Sequence, residues 1–337
     1  MNETANIPVK PGIFLSLVIP IYNEEENIPI LYQEIVTAVS GRYRDFEIIF
    51  INDGSTDLSL EKLRDLHRQD KRVKVIDFRK NFGQSSAISA GFAHCCGDLV
   101  ITLDGDLQND PADIPMIVDK LLEGYDIVNG WRKDRKDKLF TKRIPSYFGN
   151  QLISRITGVK LRDYGCTLRG FRRAVVKSLK LYGEMHRYIP ALASRIGVKS
   201  VEIPVNHRQR RFGKSQYGLG RTVRVILDVI SIRYLLSFSH RPLQIFGSLG
   251  LLMMGTGFIS GLYITYSKYI LQQSADRPLL FLTVLLIFLG FQVITLGLLA
   301  EMLSRIYHEG LNKNVYSIRE ALGFTDENID DRTRTIF

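Results

Sequence analysis

Two charge-free apolar runs near the carboxyl end constrain this chain more than any other feature. Between Arg241 and Lys268 lie 26 residues, PLQIFGSLGLLMMGTGFISGLYITYS, and between Arg277 and Glu301 another 23, PLLFLTVLLIFLGFQVITLGLLA. At about 1.5 Å of rise per helical residue, each run can cross a hydrocarbon core of about 30 Å. Helices buried in soluble domains are rarely so long without a charge. Two membrane spans are therefore expected, near 242–267 and 278–302, within a membrane segment 242–303. The linker KYILQQSADR is short, so the spans form a hairpin. Gly247, Gly250, Gly255, Gly257 and Gly261 would let a neighbouring helix, of this chain or of a second copy, approach closely.

Flanking charge sets the expected orientation. Arg221, Arg224, Arg233 and Arg241 precede the first span, and Arg305 and Lys313 follow the second, whereas the linker holds only Lys268 and Arg277. The excess of cations on cytosolic loops then places both termini in the cytosol. The start, MNETANIPVKPGIF, lacks the basic-then-apolar layout of a signal peptide, in keeping with that placement. Residues 216–241 read as an amphipathic juxtamembrane segment, with Val225, Ile226, Val229, Ile230 and Ile232 set against Arg224, Asp228 and Arg233. A helix packed on the domain is the plainer reading; the arginines beside a span favour an interfacial one. Residues 1–215 are left as a cytosolic domain and 304–337 as a cytosolic tail, whose end, FTDENIDDRTRTIF, shows no chemistry.

Lys and Arg number 45 against 35 Asp and Glu, a net charge of +10 that calls for an anionic partner: nucleic acid, a phosphorylated substrate or a lipid surface. The three cysteines, Cys95, Cys96 and Cys166, form neither a disulfide framework nor a CxxC zinc pattern, which points to a reducing compartment.

The first 130 residues alternate strands with helices. FLSLVIP, FEIIFIN, RVKVIDF, DLVITLD and YDIVNG are near-continuous apolar runs, suited to parallel strands covered on both faces. Helices are expected over 25–40, 56–69, 83–94 and 111–123. Such a chain builds an open, mainly parallel α/β sheet that binds ligands beyond the carboxyl ends of its strands. Polar loops collect at those ends: PIYNEEEN, NDGSTD, DGDLQND and GWRKDRKDK. FGKS at 212–215 is not a P-loop, because the first glycine would fall at Arg208, and PIYNEEEN has no glycine for a dinucleotide fingerprint. An Asp-x-Asp at a strand end can hold Mg²⁺ or Mn²⁺, which take carboxylate oxygens and share the rest of their shell with phosphates.

VIPIYNEEENI, FINDGSTD, NFGQSSAISAGF and TLDGDLQNDP, in this order, resemble the family 2 glycosyltransferases of GT-A fold. Within them, residues 15 to 216 and the hairpin are similar to the polyprenyl-phosphate group, relatives of dolichol-phosphate mannose synthase and of the bactoprenol glucosyltransferases. The resemblance implies a nucleotide-sugar donor, a polyprenyl phosphate acceptor and a Rossmann-like GT-A domain on a membrane hairpin. Pro20, Tyr22, Glu24 and Asp53 would line the base and ribose. Asp104 and Asp106 would address the diphosphate and metal, with Gln108 completing the metal shell. Arg132, Arg143 and Ser146 match the residues that bind lipid phosphate, and Arg211, Lys214 and Ser215, in HRQRRFGKSQY, a loop that closes over the donor. Asp163 matches the catalytic base. A lipid monophosphate is already largely anionic at pH 7, so Asp163 has little proton to remove and could equally orient the acceptor.

Plainer roles stand beside these: packing for Tyr22, a helix first turn for Glu24 and Glu25, and an ion pair with Arg162 or Arg169 for Asp163. The expected reaction is an inverting, metal-dependent transfer of one sugar, glucose from UDP-glucose before GDP-mannose or an amino-modified sugar. The rivals are a processive polysaccharide synthase, which would carry a Gln-x-x-Arg-Trp motif although the one tryptophan is Trp131, and a non-catalytic nucleotide-binding subunit. Nucleic acid is not an expected partner, since acids line the cleft.

Overall fold

The computed structural model describes residues 10–133, 151, 154, 158–179, 181, 185–194, 197–209, 242–270, 277–310 and 316–324. They belong to two compact units, Met1–Asp228 with Lys313–Phe337, and Val229–Asn312. The 216–241 segment, most of the cationic run after Arg132, and Arg143, Ser146, Arg211, Lys214 and Ser215 lie outside the described residues.

The first unit is built on one eight-stranded sheet. In chain order it comprises β1 (Lys10–Ile21), α1 (Ile28–Val39), β2 (Tyr43–Asn52), α2 (Ser59–Gln69), β3 (Val73–Phe78), α3 (Gln84–His94) and β4 (Leu99–Thr102). Then follow a 3₁₀ turn (Pro111–Asp113), α4 (Ile114–Leu122), β5 (Ile127–Arg132), β6 (Arg169–Arg172), α5 (Arg173–Ser178), a second 3₁₀ turn (Met185–Tyr188), α6 (Ile189–Ser194), β7 (Ser200–Val205) and β8 (Ile318–Leu322). The strand order is β7-β5-β6-β4-β1-β2-β3-β8. Strands β1 to β4 run parallel, as do β5 and β7; β6 is antiparallel to β4 and β5, and β8 is antiparallel to β3.

Alternation across the pleat explains why these strands are apolar at nearly every position. Leu15, Leu17, Ile19 and Ile21 of β1 share one face with Ile48 and Phe50 of β2 and bury against Ile28, Leu31, Ile35, Leu63, Ile117 and Leu121 of α1, α2 and α4. Val18 and Ile51 point to the other face, where α3 comes so close that a methyl on Gly91 would sit 2.2 Å from Val18 Cγ1. The four expected helices are present and start up to three residues later than the sequence suggests. β6, inserted antiparallel among the parallel strands, and the edge strands β7 and β8 were not expected.

The second unit is a helical hairpin, α7 (Pro242–Tyr269) and α8 (Arg277–Gly310), in which Leu243–Tyr269 and Pro278–Leu303 are long and apolar enough to cross a membrane. Outward side chains are apolar and exposed, such as Leu252, Phe258, Phe281 and Phe288. The glycines offered above as a surface for a second copy are in part consumed inside the hairpin. A methyl on Gly250 would lie 2.6 Å from the Gly290 carbonyl oxygen, and one on Gly257 3.1 Å from that of Thr283, while one on Gly255 would meet nothing within 4 Å. Ser260 accepts a 2.8 Å hydrogen bond from the Thr283 hydroxyl across the same seam.

Candidate active site

The chain runs β1, β2, β3 in one direction and then returns to place β4 on the other side of β1. That reversal opens a crevice beyond the carboxyl ends of β1 and β4, the position where open α/β sheets bind ligands. Four of the motif loops meet there.

The loops after β1 and β2 are stapled to each other. Thr56 N–H donates to Asn23 Oδ1 (2.8 Å), Asn23 N–H to Ser55 Oγ (3.0 Å), and Glu24 N–H to Ser59 Oγ (3.0 Å). α1 begins only at Ile28, so neither Glu24 nor Glu25 lies in its first turn; Glu25 instead accepts from Leu58 N–H (2.8 Å) at the start of α2. Glu24 accepts from Asn27 Nδ2, and Tyr22 is half-buried. Asp53 is buried, and its two oxygens accept from Phe82 N–H (2.7 Å) and Gly83 N–H (2.9 Å), tying the loop before α3 to the end of β2. Burial pushes its carboxyl above the ordinary range, and the two amides pull it part of the way back.

The acidic loop after β4 packs on the first loop. A methyl on Gly105 would stand 2.5 Å from Ile21 Cδ1 and 3.2 Å from the Pro20 carbonyl oxygen, so a larger residue between the two aspartates would fit only if Ile21 gave way. Asp104 is held from both sides, by Gln84 Nε2 (2.6 Å) at the start of α3 and by the Thr167 hydroxyl (2.6 Å). Asp106 is buried and accepts from Gln108 N–H (3.1 Å). Leu107 between them has φ 60°, a left-handed backbone that a buried leucine adopts only under constraint; such strain collects at working sites. Asp110, the third acid of the motif, is committed elsewhere: it accepts from Ala112 N–H (3.1 Å), Asn206 Nδ2 (2.8 Å) and Arg208 Nη2 (2.6 Å). Burial works against its charge, but these donors hold its carboxyl below the ordinary range.

Across the crevice, Arg132 at the end of β5 clasps Asp163 through Nε (2.7 Å) and Nη2 (2.9 Å). Burial would lower the guanidinium, yet the carboxylate more than offsets it. Among the described residues, the ion pair weighed for Asp163 with Arg162 or Arg169 is formed with Arg132. One row of side chains, buried except for the half-buried Glu202, runs across the sheet beside this loop. Thr102, Arg169, Asn129 and Glu202 are cross-strand neighbours on β4, β6, β5 and β7. Glu202 accepts from Arg162 N–H (2.9 Å) and Asp163 N–H (3.0 Å), Arg169 donates to the Tyr164 carbonyl (2.7 Å), and Thr102 to that of Thr167 (2.7 Å). Burial raises the Glu202 carboxyl and lowers the Arg169 guanidinium. Cys166 is fully buried, and its thiol is pushed up to about 12, so it is no nucleophile.

Sequence reasoning passed over the roles of Gln84, Thr167, Glu202 and Arg208, and weighed Arg169 only as an ion-pair partner of Asp163, whereas it donates to backbone carbonyls. Gln84 lay inside the quoted NFGQSSAISAGF motif; the others are single polar residues whose roles depend on pairing across the sheet.

Comparison with known proteins gives the family and the fold. The pattern of Glycosyl transferase family 2 matches residues 16–180. A dodecaprenyl-phosphate galacturonate synthase of Rhizobium johnstonii is 42% identical over 324 residues, covering 94% of each chain. Undecaprenyl-phosphate 4-deoxy-4-formamido-L-arabinose transferases of Edwardsiella ictaluri and Klebsiella pneumoniae are each 38% identical, covering 92% and 94% of this chain and 94% of their own. Among solved structures, glucosyl-3-phosphoglycerate synthase of Mycobacterium tuberculosis, in complex with Mn²⁺, UDP and glucosyl-3-phosphoglycerate, superposes with a TM-score of 0.53 at 20% identity. That match covers 66% of this chain and 80% of the other and shows the shared GT-A fold. The chain belongs to glycosyltransferase family 2 and, within it, to the polyprenyl-phosphate glycosyltransferases.

Proposed function

We propose that this protein moves one sugar from a UDP-sugar to polyprenyl phosphate, with inversion, at the cytosolic face of a membrane. The observation that carries the reading is the double grip on Asp104. Gln84 ties it to the side of the crevice that holds Asp53, and Thr167 ties it to the loop that carries Asp163. One carboxylate thereby joins a nucleotide side to an acceptor side. The relatives, named for transfer to or synthesis on polyprenyl phosphates and similar along 92–94% of this chain, supply the class of acceptor.

In the reaction, a phosphate oxygen of the lipid attacks the anomeric carbon as the bond to UDP breaks on the opposite side. The attacking oxygen is largely deprotonated at pH 7, so Asp163 and Arg132 serve to position the acceptor rather than to remove a proton. Asp104, Asp106 and Gln108 offer only oxygen donors from side chains, and among the described residues no cluster of three acidic, His or Cys ligands closes a cage. That set fits a hard divalent ion whose shell is completed by a diphosphate. Mg²⁺ or Mn²⁺ held there would neutralise charge on the departing UDP.

The relatives change the choice of sugar. They are named for galacturonate and formamidoarabinose, so UDP-galacturonate replaces UDP-glucose as the first donor to try. The test uses purified protein with Mg²⁺, polyprenyl phosphate and UDP-galacturonate, the UDP-formamidoarabinose or UDP-glucose in turn, scoring UDP release and glycolipid. Asp106→Ala should abolish lipid-dependent turnover while the melting temperature stays near that of the wild type. Turnover preserved in that variant removes the role assigned to Asp106.

A further inference from the structure

The chain does not end its contribution to the sheet before the membrane hairpin. Six residues after α8 closes at Gly310 come Tyr316 and then β8, which pairs antiparallel with β3 and places Ile318 opposite Phe78 and Glu320 opposite Asp77. This segment grips the point at which β3 gives way to the loop before α3. Arg79 N–H donates to the Ser317 carbonyl (3.1 Å), and Arg319 Nη2 donates to the Arg79 carbonyl (3.0 Å). Arg319 also lies 3.5 Å from the buried Asp77, whose other oxygen accepts from Asn52 (2.7 Å), the residue just before Asp53. Tyr316 is buried and stacks on Phe78 at 5.1 Å, and Phe78 meets Phe82 edge-on at 5.7 Å. Phe82 N–H in turn donates to Asp53. The loop has little room to shift: a methyl on Gly54 would stand 2.4 Å from the Lys80 carbonyl carbon, and Gly54 has φ 66°.

An edge strand could do no more than cover unpaired backbone. Here the contacts converge on residues 78–82, and two aromatic rings separate Tyr316 from the amide that Asp53 holds. We propose that the segment behind the hairpin is a working part of the donor site, in which Tyr316 and Arg319 are positioning residues that keep the 79–83 loop seated on Asp53 and so set the affinity for the nucleotide. The inference rests on the reading above that Asp53 lies on the donor side. It makes the membrane anchor and the nucleotide pocket neighbours in sequence: one short connection joins the second span to the residues that brace the loop.

The test is UDP binding to the full-length protein in Mg²⁺ buffer, measured by titration calorimetry for the wild type, Tyr316→Ala, Tyr316→Phe and Arg319→Ala, with melting temperatures alongside. Tyr316→Ala should weaken UDP binding by about three- to tenfold, the range for loss of one aromatic pair, and Tyr316→Phe should restore it. Arg319 is half exposed, so Arg319→Ala keeps the strand in place and should weaken UDP in the same direction. In turnover, the change should fall on KM for the donor and leave KM for polyprenyl phosphate where it was. UDP affinity that ignores both alanine variants overturns the inference, as does a loss that only follows the melting temperature and is shared by both substrates. Transfer by the wild type with UDP binding indifferent to Tyr316 sinks this inference alone. UDP binding that responds to Tyr316 without any transfer to polyprenyl phosphate sinks the acceptor reading and leaves the inference standing.

Discussion

Asp110 shows how far residue chemistry can depart from motif spacing. It sits in the same acidic loop as Asp104 and Asp106, yet four donors from three residues, two of them on Arg208, fix it as a structural carboxylate, and Arg208 reaches on to Glu34 of α1 at 2.6 Å. Its carboxyl is held below the ordinary 3.8, so its contribution to stability is present above that pH and is lost as pH falls through the lower folded value. Asp110→Asn should therefore destabilise the fold by about 1–3 kcal/mol at pH 7, as expected when hydrogen bonds to a charged group are lost. The difference in melting temperature from the wild type should shrink as pH drops below 3.8, and a gap of constant size across that range would refute the assignment. The acids themselves were visible in the sequence, and their division of labour was not. Asp110 is told apart from Asp104 by Asn206 and Arg208, nearly 100 residues away, and no local pattern encodes such a pairing. Arg132 and Asp163 were likewise found separately, and their clasp appears only in three dimensions.

At the scale of elements, what could be read was whatever repeats locally. β1 to β5 are continuous apolar runs and α1 to α4 lie between them, so periodicity suffices. β6 is only four residues long, β7 contains Pro204, and β8 reads IREAL, a sequence of good helix formers. Each becomes a strand because a partner edge is available, which is tertiary context overriding local preference. Glycine in α3 displays the same competition. Helix propensity alone favours Ala over Gly at position 91 by about 1 kcal/mol. The methyl would, however, press to 2.2 Å from Val18 Cγ1, and overpacking of a tight core costs about 1–3 kcal/mol. Packing should win, so Gly91→Ala is expected to lower the melting temperature. Adding Val18→Ala should recover part of the loss, because the offending carbon is removed; a double variant that shows only additive damage would place the cost elsewhere.

For the whole molecule, the return of the chain is the informative feature. β8 follows the hairpin in sequence and is nevertheless a strand of the sheet that precedes the hairpin. A chain with two crossings begins and ends on the same side of a membrane, so a hairpin that spans is compatible with this sheet, whereas one crossing with the other helix lying flat is not. Charge then chooses the side. The cations before α7 and after α8 outnumber those of the linker, so the positive-inside rule predicts that both flanks lie in the cytosol. Nor can either helix easily leave the pair, since Gly250 and Gly290 let the backbones meet more closely than any larger residue would permit. The prediction is read with two reporters. Alkaline phosphatase inserted in the 271–276 linker should be active, because it folds only outside the cytosol, and green fluorescent protein fused after Phe337 should fluoresce. An inactive phosphatase in the linker together with a dark fusion after Phe337 would reverse the orientation and put the crevice on the wrong side for cytosolic UDP-sugars. Activity at only one of the two sites with no fluorescence at the other would break the hairpin itself, and with it the requirement that β8 share a compartment with the sheet it completes.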